Sequence, residues 1–276
     1  MLKVENLSKK FGKKEILHSV TTTFSNGVYG LLGPNGAGKT TFIRCLLNLY
    51  KFQGYCCYLD DESGEERKEI KVGYLPQKNS VFPGLTVREQ LEYFALMKEI
   101  EKDYIETEVE RVLELVNLKD FANIKGKKLS GGMIRRLGVA QALLGQPQLV
   151  IFDEPTTGLD PEERVRFKNI VKKIGKETIV IMSTHIVEDI EAVCDFILIM
   201  KDGNIIANDN QVAIASIATG KVYEKIGEDI PQDGYVVKHV LVDGEEGTRF
   251  LYGEELMETS VQPTVEDGYL CLLNNV

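Results

Sequence analysis

Residues Gly33-Pro34-Asn35-Gly36-Ala37-Gly38-Lys39-Thr40 spell a complete phosphate-binding loop, and no other feature of the chain restricts its fold as much. The loop follows the apolar run Val28-Tyr29-Gly30-Leu31-Leu32 and precedes Thr41-Phe42-Ile43-Arg44-Cys45-Leu46-Leu47, whose apolar spacing is helical. Strand, glycine-rich loop and helix in that order predict an α/β fold with a ligand at the strand ends. The three glycines let successive N–H groups turn toward one centre, and the start of the helix adds the positive end of its dipole there. Lys39 brings a point charge within reach of β- and γ-phosphates, and Thr40 a hydroxyl suited to Mg2+.

Two later segments narrow the chemistry. Leu149-Val150-Ile151-Phe152-Asp153 has the unbroken apolar run of a buried parallel strand and ends in a carboxylate. By itself, Asp153-Glu154-Pro155 is an ordinary acidic turn at a strand end. Beside a phosphate loop, Asp153 reads as the residue that holds Mg2+ and Glu154 as a base for an attacking water. Leu129-Ser130-Gly131-Gly132-Met133 opens another helix-spaced run, Ile134 to Leu144, and offers backbone N–H groups and the Ser130 hydroxyl at a helix start.

In these residues the chain resembles the ATP-binding subunits of ABC transporters, over residues 1 to about 208. The resemblance implies a P-loop NTPase (RecA-like) core with an N-terminal antiparallel β subdomain and an inserted helical subdomain at about residues 80–142. Residues 129–132 are similar to the family's signature loop, Asp153 and Glu154 to its Walker B aspartate and catalytic glutamate, and Gly158-Leu159-Asp160 to its D-loop. Gln77 resembles the Q-loop glutamine, a γ-phosphate sensor and Mg2+ ligand. His185 resembles the switch histidine, and Phe11 lies where the family carries an aromatic residue that stacks on adenine. The nucleotide-binding set this implies is Phe11, Gly33, Asn35, Gly36, Ala37, Gly38, Lys39, Thr40 and Thr41, with Ser130, Gly131, Gly132 and Asp160 acting across a dimer interface. Glu154, His185 and Gln77 form the catalytic set, and Thr40, Gln77 and Asp153 the metal set. One departure is Met133, where the family usually has glutamine.

The family arrangement also implies partners: ATP and Mg2+, a second ATP-binding domain packed head to tail as a homodimer, and an integral membrane permease. No apolar run approaches the roughly 18–20 residues of a membrane helix, and Met1-Leu2-Lys3-Val4-Glu5-Asn6 is not an apolar leader. The expected place is therefore cytoplasmic, peripheral on the inner face of the cell membrane. Residues 262–270 (Gln262-Pro263-Thr264-Val265-Glu266-Asp267-Gly268-Tyr269-Leu270) are similar to the closing segment of drug and antibiotic exporters, which implies export; an importer stays open. A non-transport ABC ATPase acting on the ribosome or DNA is the alternative. It is disfavoured by the single P-loop and by Lys39 and Asp153 lying 114 residues apart, too close for a long coiled coil between the Walker motifs. A GTPase would want Asn-Lys-x-Asp, and Asn117-Leu118-Lys119-Asp120 has the wrong order.

Charge marks a boundary. Residues 1–208 carry 29 acidic and 29 basic side chains, whereas residues 209–276 carry 13 and 4, so the whole formal charge of −9 sits in the tail. An acidic tail repels phosphate backbones, and no nucleic-acid partner is expected. The tail still has strand patterning. Tyr235 to Val242 and Thr248 to Tyr252 flank Asp243-Gly244-Glu245-Glu246-Gly247, which predicts a hairpin in a small β or α+β annex, residues 209–276. Upstream, residues 1 to about 30 read as short alternating strands of an antiparallel edge sheet, and Asp60 to Lys71 as a charged connection. Thr86 with Glu89 forms a capping box that opens the amphipathic stretch Val87 to Leu118, and residues 125–128 read as a solvated basic loop. The five cysteines lack metal-ligand spacing and read as reduced thiols.

Overall fold

The computed structural model describes residues 1–276 apart from 61, 62, 68, 255 and 257–259. The chain opens with the hairpin β1 (Leu2–Phe11) and β2 (Lys14–Phe24), then runs through β3 (Gly27–Leu32) and the P-loop into α1 (Lys39–Leu46). β4 (Gln53–Leu59) and the short β5 (Glu66–Arg67) return to the hairpin. β6 (Val72–Leu75) leads into an insert of α2 (Val87–Met97), α3 (Lys102–Leu115) and α4 (Gly131–Leu143). β7 (Leu149–Asp153), α5 (Pro161–Ile174), β8 (Ile179–Thr184), α6 (Val187–Glu191), β9 (Phe196–Lys201) and β10 (Asn204–Asn210) complete the main body. The tail holds α7 (Gln211–Ser216), β11 (Val222–Ile226), β12 (Tyr235–Val242), β13 (Glu245–Leu251) and α8 (Val265–Asn274).

Three sheets organise these elements. An antiparallel sheet has the order β2-β1-β4-β5, and the central sheet has the order β10-β9-β3-β8-β7-β6, parallel throughout except for β10. The tail sheet has the order β11-β13-β12. β3, β7 and β8 carry near-continuous apolar runs, with polar residues at the C-terminal ends of β7 and β8, because both faces are covered. The two-residue period then sorts them. Val28, Leu32, Val150, Phe152, Val180 and Met182 join the core beneath the insert helices, α5 and α6. Tyr29, Leu31, Leu149, Ile151, Ile179 and Ile181 join a second core shared with α1 and the antiparallel sheet. Each such side chain, fully buried, is worth about 1.5–3 kcal/mol relative to exposure, so the sheet position of β3, β7 and β8 is strongly fixed.

Several local readings shift. The opening strands are long, ten and eleven residues, with β-bulges in β1, and Gly27–Leu32 belongs to the centre of the parallel sheet rather than to an edge. The connection from Asp60 to Lys71 is not wholly solvated coil, since β5 pairs with β4 there; Asp61, Glu62 and Lys68 of that stretch lie outside the described residues. In the basic run, Gly126–Lys128 is a turn of 3-10 helix with Gly126 buried. The insert matches its expected helix pair, and Thr86 caps α2: its hydroxyl accepts from Glu89 N at 3.2 Å while Glu89 Oε2 accepts from Thr86 N at 2.7 Å.

The tail hairpin turns more tightly than its sequence pattern indicates. Val242 pairs with Glu245, leaving a two-residue turn of Asp243 (φ 53°) and Gly244 (φ 87°), the left-handed pair that matches strand twist. A third strand, β11, pairs with β13. Arg249 of β13 locks sheet to helix: Nε and Nη2 donate to the two Asp267 oxygens at 3.1 and 2.6 Å, Nη1 to Glu224 Oε1 at 2.5 Å, and Nη2 to Gln262 O at 2.8 Å. The charge boundary near residue 209 is not a packing boundary. Ile214, Val265 and Tyr269 join the main core beneath the helices, and Lys201 Nζ donates to Leu273 O at 2.7 Å.

Candidate functional site

The site lies at the C-terminal ends of β3, β8, β7 and β6, where an open parallel sheet presents its ligand crevice. The P-loop leaves β3, and Lys39 is the first residue of α1, two residues earlier than the helical spacing begins. Gly38, the N-cap, has φ 104°, a left-handed value that frees the following amides to point outward. Among the described residues no side chain caps α1, and its first intrahelical bond runs from Phe42 N to Gly38 O at 2.8 Å. The N–H groups of Lys39, Thr40 and Thr41 therefore precede the helical ladder and are available to an anion. Gly33 packs against β9 so closely that a Cβ would meet Met200 O at 2.3 Å. Asn35 and Gly36 are exposed at the tip of the loop and Ala37 is buried beneath it.

Lys39 reaches back over the loop, with Nζ donating to Gly33 O at 2.6 Å and Pro34 O at 3.2 Å. Burial pulls its ammonium pKa below the ordinary lysine value, opposed by the charges of Glu154 and Asp153. Thr40 is exposed, with its hydroxyl free to meet a ligand, and Thr41 is half-buried.

The order β3-β8-β7 places one strand between the P-loop and the acids, and that strand supplies the link. Ser183 of β8 lies opposite Asp153 of β7 and donates its hydroxyl to Asp153 Oδ1 at 2.6 Å, while accepting from Glu154 N at 3.0 Å. Glu154 takes a left-handed backbone (φ 49°), uncommon for a non-glycine residue, and turns its carboxylate toward β8. His185 Nδ1 lies 2.9 Å from Glu154 Oε2, and Thr157 Oγ1 donates to the same oxygen at 3.1 Å. A carboxylate so flanked can accept a proton from a bound water and share it with imidazole. Gln77 follows β6, whose Leu75 pairs with Phe152, so it lies beside the acids along the sheet edge with its side chain exposed. Phe11 ends β1, 46% exposed; Tyr50 meets it edge-on at 5.3 Å and Lys9 Nζ lies 4.7 Å from its ring centre.

The second glycine loop is placed apart from the first. Ser130 caps α4, its Oγ accepting from Met133 N at 3.2 Å, and Gly131 is exposed beside it. Among the described residues, no hydrogen bond or ion pair joins residues 33–41 to residues 129–133. Gly132 packs on α5, where a Cβ would meet Glu163 Cγ at 2.8 Å, and Arg136 Nε pairs with Glu163 Oε2 at 3.1 Å. Asp160 caps α5, accepting from Glu163 N at 2.9 Å. Met133 packs against the core beneath the helices, an apolar contact that a thioether serves better than an amide.

The family model for ABC transporters matches residues 17–157, just over half of the chain. The chain belongs to the ABC transporter family. Its activity is that of an ABC ATPase, which binds and hydrolyses ATP. It is similar to the Nod factor export ATP-binding protein I of Bradyrhizobium diazoefficiens, 35% identical over 96% of this chain and 93% of that protein. An uncharacterized ABC transporter ATP-binding protein of Bacillus subtilis, YdbJ, is 33% identical over 98% and 94%. The linearmycin resistance ATP-binding protein LnrL of Bacillus subtilis is 34% identical over 78% and 71%. Among solved structures, an ATP-binding subunit of an ABC transporter aligns with a TM-score of 0.67 and 25% identity, over 78% of this chain and 91% of that one. A dimeric bacterial ABC transporter cassette aligns at 0.64 and 26%, over 76% and 98%.

Sequence patterning left out residues that hold the candidate site together. Arg135 is buried in α4 and, among the described residues, donates to main-chain carbonyls of the acidic turn and of the segment after β6. Burial lowers its pKa, countered by the charges of Asp153 and Glu154. Thr156 Oγ1 donates to Asp189 Oδ2 at 2.5 Å, and Lys168 pairs with Asp189 at 3.0 Å, which ties the segment after Glu154 to the helix after His185. Gly138 lets α4 approach Asn79, whose Nδ2 donates to Ile134 O at 3.2 Å. In the sequence Arg135 is one of two adjacent arginines in a helical run, and nothing there separates it from its half-buried neighbour Arg136.

Proposed function

We propose that this ATPase powers export through a separate integral membrane permease, working as a head-to-tail homodimer at the cytoplasmic face of the membrane. The observation that carries the reading is the split site: Lys39, Asp153, Glu154 and His185 converge at the C-terminal ends of β3, β7 and β8, while Ser130 and Gly131 are exposed on another element. A γ-phosphate needs donors on several faces, and one P-loop covers only part of it. Ser130, Gly131, Gly132 and Asp160 of a second copy complete the shell. The names of the similar Nod factor export and linearmycin resistance proteins support an exporter.

Within each half-site, the roles follow from position. The N–H groups of Gly36, Gly38, Lys39, Thr40 and Thr41, with Asn35 and Ala37 beside them, cradle phosphate, and the Lys39 ammonium leaves the Gly33 and Pro34 carbonyls for β- and γ-oxygens. Phe11 offers a ring face to adenine. Among the described residues, no group of three or more His, Cys, Asp or Glu side chains could hold a metal alone. The Thr40 hydroxyl, Gln77 and Asp153 are the oxygen donors that would hold an Mg2+, which would supply positive charge to offset that developing on the phosphates. Glu154 accepts the proton of the attacking water, and His185 steadies that water and the γ-phosphate. Among the described residues, no helix is long and apolar enough to cross a membrane, so this reading needs a partner that does.

The test is affinity capture of the tagged chain from detergent-solubilised native membranes, read by mass spectrometry. The expected result is co-purification of one polytopic membrane protein at near-stoichiometric amounts. Recovery of ribosomal or DNA-associated proteins with no membrane protein would overturn the reading in favour of a non-transport ABC ATPase.

A further inference from the structure

Arg135 makes one hydrogen bond from each of its five N–H groups, and all five acceptors are main-chain carbonyls. Nε donates to Pro155 O at 2.8 Å. Nη2 donates to Glu154 O at 2.7 Å and Asp153 O at 3.3 Å. Nη1 donates to Pro76 O at 3.1 Å and Gln77 O at 3.2 Å. The side chain is 8% exposed and lies five residues into the helix that Ser130 caps. One rigid fork thus joins the glycine-loop helix, the segment after β6 and the turn that carries Glu154. The shortest of the five bonds goes to the carbonyl of Glu154, whose left-handed backbone (φ 49°) is a conformation that a surrounding structure must enforce.

We propose that Arg135 is a positioning residue for hydrolysis: it holds the Glu154 backbone in its left-handed turn, and so the carboxylate against His185, and makes that hold depend on where Gln77 sits. The inference rests on Glu154 being the base. Displacement of the chain at Gln77 breaks two of the five bonds and loosens the fork that fixes Glu154. Lysine cannot substitute, because an ammonium has three donors on a flexible stem and cannot span five carbonyls in a plane.

Arg135→Lys and Arg135→Met are compared with the parent chain by steady-state ATPase kinetics, equilibrium binding of a fluorescent ATP analogue, and thermal melting. The expected result is a fall in kcat of about a hundredfold for Arg135→Met and about tenfold for Arg135→Lys. KM and analogue affinity stay within about threefold, since no P-loop group is touched. Should Arg135→Met fail to fold, Arg135→Lys, which keeps charge and three donors, carries the test alone. Glu154→Gln in the same series is expected to bind the analogue yet lose hydrolysis, and Arg135→Lys added to it should lower the residual single-turnover rate by less than about twofold, because the two act as one unit. A folded Arg135→Lys with kcat within about twofold of the parent, or full multiplicative loss in the Glu154→Gln background, overturns the proposal. A Glu154→Gln chain that hydrolyses at the parent rate instead overturns the assignment of the base, whatever Arg135 does.

Discussion

Asp267 shows how a single buried carboxylate can stabilise the tail. Its side chain is fully buried, which works against ionisation, yet the Arg249 guanidinium and the Thr264 N–H and hydroxyl outweigh burial and hold its pKa below the ordinary aspartate value. A carboxyl with a depressed folded pKa binds fewer protons folded than unfolded, so its contribution is fully present above the unfolded value of about 3.9 and is lost as pH falls through the lower folded value. Asp267→Asn keeps one acceptor oxygen but removes the negative charge and the second acceptor that face Arg249, and should cost about 3 kcal/mol at pH 7. Urea melts of both chains from pH 7 down to pH 3 check this: the difference should narrow below about pH 4 as the parent carboxyl protonates. A constant difference across that range would show that packing, not charge, carries the effect.

At the scale of elements, the helices were legible where their signals are local. Thr86 and Glu89 cap α2 as their three-residue spacing indicates, and Ser130 caps α4. Thr264 and Asp267 form a second capping box, although aspartate is shorter than the usual glutamate. What that spacing does not reveal is why α8 carries Gly268 in its interior. A Cβ there would meet Ile214 O at 1.8 Å, so the glycine sets how closely α8 packs on α7. Gly268→Ala gains about 1 kcal/mol in helix propensity but overpacks at a cost of about 1–3 kcal/mol, and the clash with rigid backbone puts it at the upper end. The expected outcome is a net loss of about 2 kcal/mol by denaturant melt, and a stabilised chain would contradict this packing.

For the whole molecule, the acidic tail is electrostatically separate but mechanically joined. Gln211 Nε2 donates to Cys194 O at 2.8 Å, and Ile214, Val265 and Tyr269 fill part of the main core. Deleting residues 209–276 therefore exposes apolar surface of the ATPase body while leaving every nucleotide motif in place. The expected outcome is a melting temperature lower by about 5–10 °C, with analogue affinity in the folded protein within about threefold of the parent. A folded truncation unable to bind ATP would mean that the tail supplies a binding group.

The sequence by itself determined what is decided within a few residues: the P-loop's strand–loop–helix order, the acidic end of β7, the helix caps and the tail hairpin. Steric limits on glycine, hydrogen bonds three residues apart and the periodicity of burial act locally, so the pattern can be read directly. Only the tertiary structure decided that β8 separates β3 from β7, which puts Ser183 and His185 against Asp153 and Glu154. The five carbonyls on Arg135 come from positions 18 to 59 residues away, and main-chain acceptors leave no mark in the identity of their residues. The tail's packing was hidden for a similar reason: charge composition reports the solvated surface, whereas the handful of apolar residues that cross the boundary report the core.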